Sequence, residues 1–157
     1  MEEARPPKRK GWWGMRALSL WQPWASLMAD ERKRIETRHW RPPQWLMGQP
    51  IAIHATMRVD KDACEDFGYD PLTIPRGCIV AIGEFSHWMK FDKDYKASLT
   101  VACQLAGNEE YRYGDFEMGR YGWFFTLKEK LNPPVAATGH QGIWDWQRPA
   151  PVPECAP

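Results

Sequence analysis

The chain has no apolar run near the roughly 20 residues needed to span a bilayer, and no apolar stretch follows the charges at its N-terminus. Neither a transmembrane segment nor a secretory signal is expected, so no membrane partner is expected and the expected location is cytoplasmic. Cysteine is sparse: Cys64, Cys78, Cys103 and Cys155 are widely spaced and form no C-x-x-C pair. Structural zinc needs paired ligands at short spacing, so no metal, disulfide or other cofactor is expected. Cys78 lies in an apolar segment and reads as core, whereas Cys155 sits in a proline-rich tail and reads as a free thiol. The chain lacks a glycine-rich phosphate loop, any Ser-His-Asp or Cys-His set of recognisable spacing, and internal repeats. Strong net charge is missing too. At +1 the chain falls short of the basic footprint of a dedicated duplex binder.

The charge is nevertheless unevenly placed. Residues 1–41 hold ten Lys/Arg against five Asp/Glu, a balance of +5, while residues 42–157 hold eleven against fifteen, a balance of −4. The basic side includes the arm Arg5-Pro6-Pro7-Lys8-Arg9-Lys10 and the run from Arg32 to Arg41. One nucleic-acid-facing surface and an acidic back would give this asymmetry, and a small or short single-stranded ligand suits its size.

Tryptophan is abundant, with ten in 157 residues. Trp123, mid-strand, and Trp144 and Trp146, flanking the last strand, read as core. Trp21, Trp24 and Trp40 differ because they bracket the charged run Arg32-Lys33-Arg34-Ile35-Glu36-Thr37-Arg38. An indole beside a charged cleft can stack on a base for ~1–3 kcal/mol. If Ile35 is buried in an extended segment, Glu36 and Arg38 share one face and Thr37 takes the other. A carboxylate and a guanidinium held side by side can recognise a base edge or a phosphate. The alternative is an exposed ion pair worth at most ~1 kcal/mol. His54 ends an apolar strand, where a cleft-facing and a core role are both open. His39 follows the run and could contact phosphate, while His87 and His140 read as surface or loop residues.

Turn residues and alternation divide the chain into short elements. Residues 1–13 read as a basic disordered arm, and 149–157 as a Pro-rich tail. Trp12-Trp13 could clamp a strand or fold onto the body. Strands are expected over Met15 to Leu20, Ile51 to Ala55, Cys78 to Phe85, Tyr121 to Leu127 and Ile143 to Trp146. Helices are expected from Pro23 to about Glu31, from Asp60 to Phe67 with Gly68 as stop, and within 94–106. Short strands mixed with short helices make an α+β domain.

Six segments in order carry a family resemblance: Ser19-Leu20-Trp21-Gln22-Pro23-Trp24-Ala25, the run from Arg32 to Arg38, Ile51-Ala52-Ile53-His54-Ala55, Pro75 to Ala81, Gly119-Arg120-Tyr121-Gly122-Trp123, and Gly139-His140-Gln141-Gly142-Ile143-Trp144. Together they resemble the ASCH family of the PUA-like superfamily, small β-barrel domains that mostly handle RNA or modified nucleobases. The most specific part is the opening turn followed by K-x-x-E-x-R, and the resemblance runs from about Arg16 to Trp146. It implies a PUA-like β-barrel with short flanking helices over residues 14–148. The implied partner is RNA, single-stranded nucleic acid or a modified nucleoside, bound by a monomer in a cleft floored by the K-x-x-E-x-R strand.

The implied ligand-binding residues are Trp21, Gln22, Trp24, Lys33, Glu36, Arg38 and His54. Glu36 would accept from an exocyclic amine, Arg38 would hold a phosphate or carbonyl, Trp21 or Trp24 would stack, and Gln22 would read a base edge. Two other readings stay open. In one, the cleft is that of a nucleoside or RNA hydrolase (an amidohydrolase or a ribonuclease), with Lys33, Glu36 and His54 as candidate catalytic groups. A branch of similar proteins that deacylates N4-acetylcytidine carries a Lys and a Thr three residues apart. Here Lys33 matches the Lys, but Glu36 stands at the Thr position, so that nucleophile is missing. In the other, the chain is a protein-interaction module like those of transcriptional coactivator assemblies.

Overall fold

The computed structural model describes residues 14–92, 100, 101, 103, 104 and 109–150. The basic arm through Gly11 to Trp13, most of the expected helix within 94–106, and the tail from Pro151, with Cys155, lie outside the described residues. In chain order the elements are β1 (Gly14–Gln22), α1 (Trp24–Ala29), β2 (Ile35–Arg38), a 3-10 turn (Gln44–Leu46), β3 (Pro50–Val59), α2 (Lys61–Phe67), β4 (Cys78–Lys90), a second 3-10 turn (Glu110–Arg112), β5 (Tyr121–Ala136) and β6 (Ile143–Gln147). Pro23 caps α1 at its N-terminus. Asp60 caps α2 by accepting the Ala63 N–H at 3.0 Å, and Gly68 ends it at φ 82°, a left-handed conformation that glycine adopts without Cβ strain.

The six strands form one sheet in the order β2-β5-β4-β3-β1-β6. Among the described residues only β1 and β3 run parallel; the remaining pairs are antiparallel. The fold is therefore α+β as expected, but the expected barrel is not formed. Four-residue β2 and five-residue β6 stand at opposite edges, each paired with a single neighbour, and no ladder joins them. The two ends of the sheet still approach one another through a side chain, since Arg38 Nη2 in β2 donates to the backbone carbonyl of Ser19 in β1 at 3.2 Å. A side-chain seam replaces closure.

Strand alternation sorts the apolar residues onto two faces. Leu18 and Leu20 of β1, Ile51 and Ile53 of β3, Phe85 of β4 and Trp123 of β5 join Met28 and Leu46 in the main core. The odd-numbered Ala17 and the even-numbered Ala52 turn to the opposite face and pack with Ile79, Ile82, Leu131, Trp144 and Trp146. Ser19 and His54, two positions further along the same strands, follow Ala17 and Ala52 onto that second face. A third cluster of Ile35, Phe91, Phe116 and Phe124 anchors β2.

Candidate functional site

The charged run folds as a chain of ion pairs. Lys33 is 2% exposed, and its ammonium donates to the carbonyls of Ile35 and Tyr113 while lying 3.5 Å from the Glu36 carboxylate. Two hydrogen bonds and one ion pair thus compensate the buried charge. Glu36 in turn accepts from Arg38 Nε at 2.9 Å. Thr37 points away from this pair, its hydroxyl oxygen accepting the Asp115 N–H at 3.0 Å. The start of β2 is clamped by Glu110, a residue 1% exposed, whose carboxylate accepts the N–H groups of Arg34 and Ile35. Burial pushes the Glu110 carboxyl up, and the nearby Lys33 charge opposes that shift.

Two cavities flank the seam. The smaller, about 520 Å³, is lined by Trp21, Trp24, Lys33, Glu36, Thr37, Arg38, Tyr113 and Arg120, among others. The larger, about 1010 Å³, is lined by Ser19, Trp21, Arg38, Trp40, His54, Thr56 and the loop from Ala136 to Gly142. Ser19, Trp21, Arg38 and His39 belong to both. Trp21 is 44% exposed, and the Arg58 guanidinium lies 3.5 Å over its ring.

Of the residues singled out from sequence, Trp21, Trp24, Lys33, Glu36 and Arg38 meet around the smaller cavity, and His54 lines the larger one. Gln22 comes to neither. It is fully buried, its amide nitrogen donating to the Ser26 hydroxyl and the Pro75 carbonyl while its oxygen accepts the Ser26 N–H. Those bonds tie β1 to α1 and leave no free edge to read a base. Trp40 packs edge-on to Trp123 at 4.7 Å and borders the larger cavity. His87 stacks on Phe124 away from both cavities.

His54 sits in a network that spacing did not reveal. Its Nε2 is 2.9 Å from the Ala137 carbonyl and its Nδ1 is 3.2 Å from Ser19 Oγ. The Trp144 indole N–H donates to the same Oγ at 2.9 Å, and that hydroxyl lies 2.8 Å from the His140 carbonyl. Burial lowers the His54 pKa below the usual imidazole value, with His140 adding to the effect. The loop runs so close that a Cβ on Gly139 would fall on the His54 ring. Among the described residues, no group of three or more His, Cys, Asp or Glu is placed to hold a metal ion, and no helix is long and apolar enough to cross a membrane.

The architecture is thus an α+β protein with an open mixed sheet and a polar, tryptophan-rimmed cleft at its seam. No family model and no curated protein matches the chain. Among solved structures it is similar to an ASCH protein from Zymomonas mobilis, at 17% identity and a TM-score of 0.52, over 85% of this chain and 87% of that one. A mutant of the same bacterial protein matches over the same shares at 17% identity and a TM-score of 0.49. The chain therefore has the fold of an ASCH protein, and the resemblance read from its six segments is matched at the level of the fold.

Proposed function

We propose that this is an ASCH domain whose cleft binds RNA, single-stranded nucleic acid or a modified nucleoside. The observation that carries the reading is Trp21, a half-exposed indole shared by both cavities and set beside the Glu36–Arg38 pair. A stacking face next to a paired acceptor and donor is what a nucleobase joined to a phosphate requires. In this role Trp21 stacks on a base, the remaining N–H groups of Arg38 meet a phosphate or carbonyl, and the remaining lone pairs of Glu36 accept from an exocyclic amine. Lys33 acts from behind by fixing Glu36. Arg112 and Arg120 at the smaller cavity supply further positive charge for a backbone. The larger cavity reaches the upper end of the ~300–1,000 Å³ usual for small-ligand sites, enough for a nucleoside.

Titration of a short single-stranded RNA and of free nucleosides, followed by tryptophan fluorescence and calorimetry, tests this. Saturable binding that weakens with added salt for the RNA, and in Trp21→Ala for both ligand types, is expected. Absence of saturable binding for either ligand at millimolar concentration would refute the proposal.

A further inference from the structure

The seam also holds the parts of an activated nucleophile. Ser19 and His54 are direct register partners in the parallel pair β1–β3, which brings residues 35 apart in sequence to a hydrogen-bond distance of 3.2 Å. The Ala137 carbonyl can only accept, so His54 Nε2 carries the proton of a neutral imidazole and Nδ1 presents its lone pair to Ser19. A nucleophile, a base within reach and a third group that fixes the base are the three components of a serine hydrolase centre. Here the third group is a backbone carbonyl. Next to His54 the β3–β4 ladder shifts register, an irregularity of the kind that re-aims side chains at working sites. Ser19 opens onto both cavities, whereas His54 is buried behind it.

We infer that Ser19 is a nucleophile for acyl groups, with His54 as its general base and Arg38 as the cation beside it. The step balances without metal or redox partner. The Ser19 hydroxyl turns from the His140 carbonyl to His54, and its proton passes to Nδ1. The oxygen's electron pair forms a bond to the acyl carbon, and the carbonyl π pair moves onto its oxygen. That oxyanion is charge-complementary to the Arg38 guanidinium, which already reaches the Ser19 main chain. Collapse restores the carbonyl, breaks the bond to the leaving alcohol or amine, and returns the proton from Nδ1 to that group. A water then repeats the sequence, releasing the acid and restoring Ser19. The Trp144 N–H, donated to the same Oγ, holds the hydroxyl in place between turnovers. The inference uses the cleft of the binding reading but does not depend on nucleic acid being the ligand.

The test is covalent labelling of the full chain with a fluorophosphonate, read by intact mass and peptide mapping. In this reaction the Ser19 O–P bond forms, the P–F bond breaks, fluoride leaves, and the proton goes through His54 to solvent. Labelling of the folded protein at Ser19, absent in Ser19→Ala, is expected. Its rate should fall about 100-fold or more in His54→Gln, with thermal unfolding and circular dichroism run on each variant to establish folding. His140 shares the larger cavity with His54, so His140→Gln serves as the control for charge and should label at the wild-type rate, whereas Arg38→Gln should label more slowly because it removes the cation beside the oxyanion. No adduct on the folded wild-type protein, or an adduct on another residue, overturns the proposal. So does labelling at an unchanged rate in folded His54→Gln. RNA or nucleoside binding measured on the same samples separates failure of this chemistry from failure of the binding reading.

Discussion

The two cavities meet at Trp21 and Arg38 yet are built on different chemistry. On the β2 side the charged groups are bonded mostly to one another. Lys33 bonds two carbonyls and pairs with Glu36, Glu36 is shared between Lys33 and Arg38, and Arg38 extends to the seam. On the β3 side the groups are neutral, namely Ser19, His54, the Trp144 indole and two loop carbonyls. The first wall is held by charge and gains its rigidity from compensation of a buried ammonium. The second turns on one hydroxyl, which accepts from Trp144 and has one hydrogen for two acceptors, the His140 carbonyl and His54 Nδ1. Conspicuous charge therefore marks scaffolding here at least as much as it marks ligand contact, and substitution separates the two.

Lys33→Met gives the largest expected effect. Removing the ammonium leaves two buried carbonyls without their donor and the Glu36 carboxylate with Arg38 as its partner, a loss of about 3–5 kcal/mol of stability. Denaturant unfolding measures it, and a change below about 1 kcal/mol would place Lys33 with the ligand-facing groups instead. Arg38→Met follows, with binding of a short RNA weakened by about 2 kcal/mol and only a small shift in melting temperature, because the guanidinium is at the seam and partly exposed. Equal affinity in the variant, or loss of the fold, would make the pair structural throughout.

Trp21→Ala should weaken binding by about 1 kcal/mol, the low end for a stacked base, because Arg58 already covers part of the ring. Its unfolding midpoint should hardly move, since the ring is 44% exposed. The smallest effect concerns pH. His54 has a lowered pKa when folded, so the unfolded chain binds its proton more readily. The associated stability is complete above about pH 6.5 and is lost as pH falls below it toward the folded pKa. Unfolding measured between pH 5 and 7.5 should show this slope, and it should be flatter in His54→Gln. An unchanged slope would remove His54 as its source.

Much of the fold was legible because alternation and turn chemistry act locally. The strands expected from Met15, Ile51, Cys78 and Tyr121 form within one residue of those starts, and α2 is announced by Asp60 and Gly68. Strand lengths were not legible: the expected ends at Ala55, Phe85 and Leu127 are overrun to Val59, Lys90 and Ala136, because the ladders continue past the apolar stretch into exposed polar residues. Among the described residues β2 pairs with Tyr121 to Phe124 and not beyond, so the missing N–H groups of Pro133 and Pro134 in the far part of β5 cost no ladder bond to β2. Closure into a barrel was likewise beyond reach of the segments, since it depends on whether two short edge strands find each other. The charged wall could be read because its members are consecutive, although burial of Lys33 and Gln22 could not. The neutral wall was hidden, since Ser19 and His54 become neighbours only through a parallel crossover whose register no local spacing encodes.

Gly139 and Gly142, three residues apart in the loop over the larger cavity, are glycines for opposite reasons. Gly142 has open space around it and a φ of 68°, so a left-handed backbone is its whole requirement. There a D-alanine would restore what an L-alanine loses. Gly139 has no such angle; its requirement is vacancy, because the volume an L-side chain needs is filled by the His54 imidazole. Trimming His54 would relieve an alanine at Gly139 and do nothing for one at Gly142. One loop thus contains a conformational hinge point and a spacer of fixed thickness, and the spacer sets how near the chain can pass to the histidine.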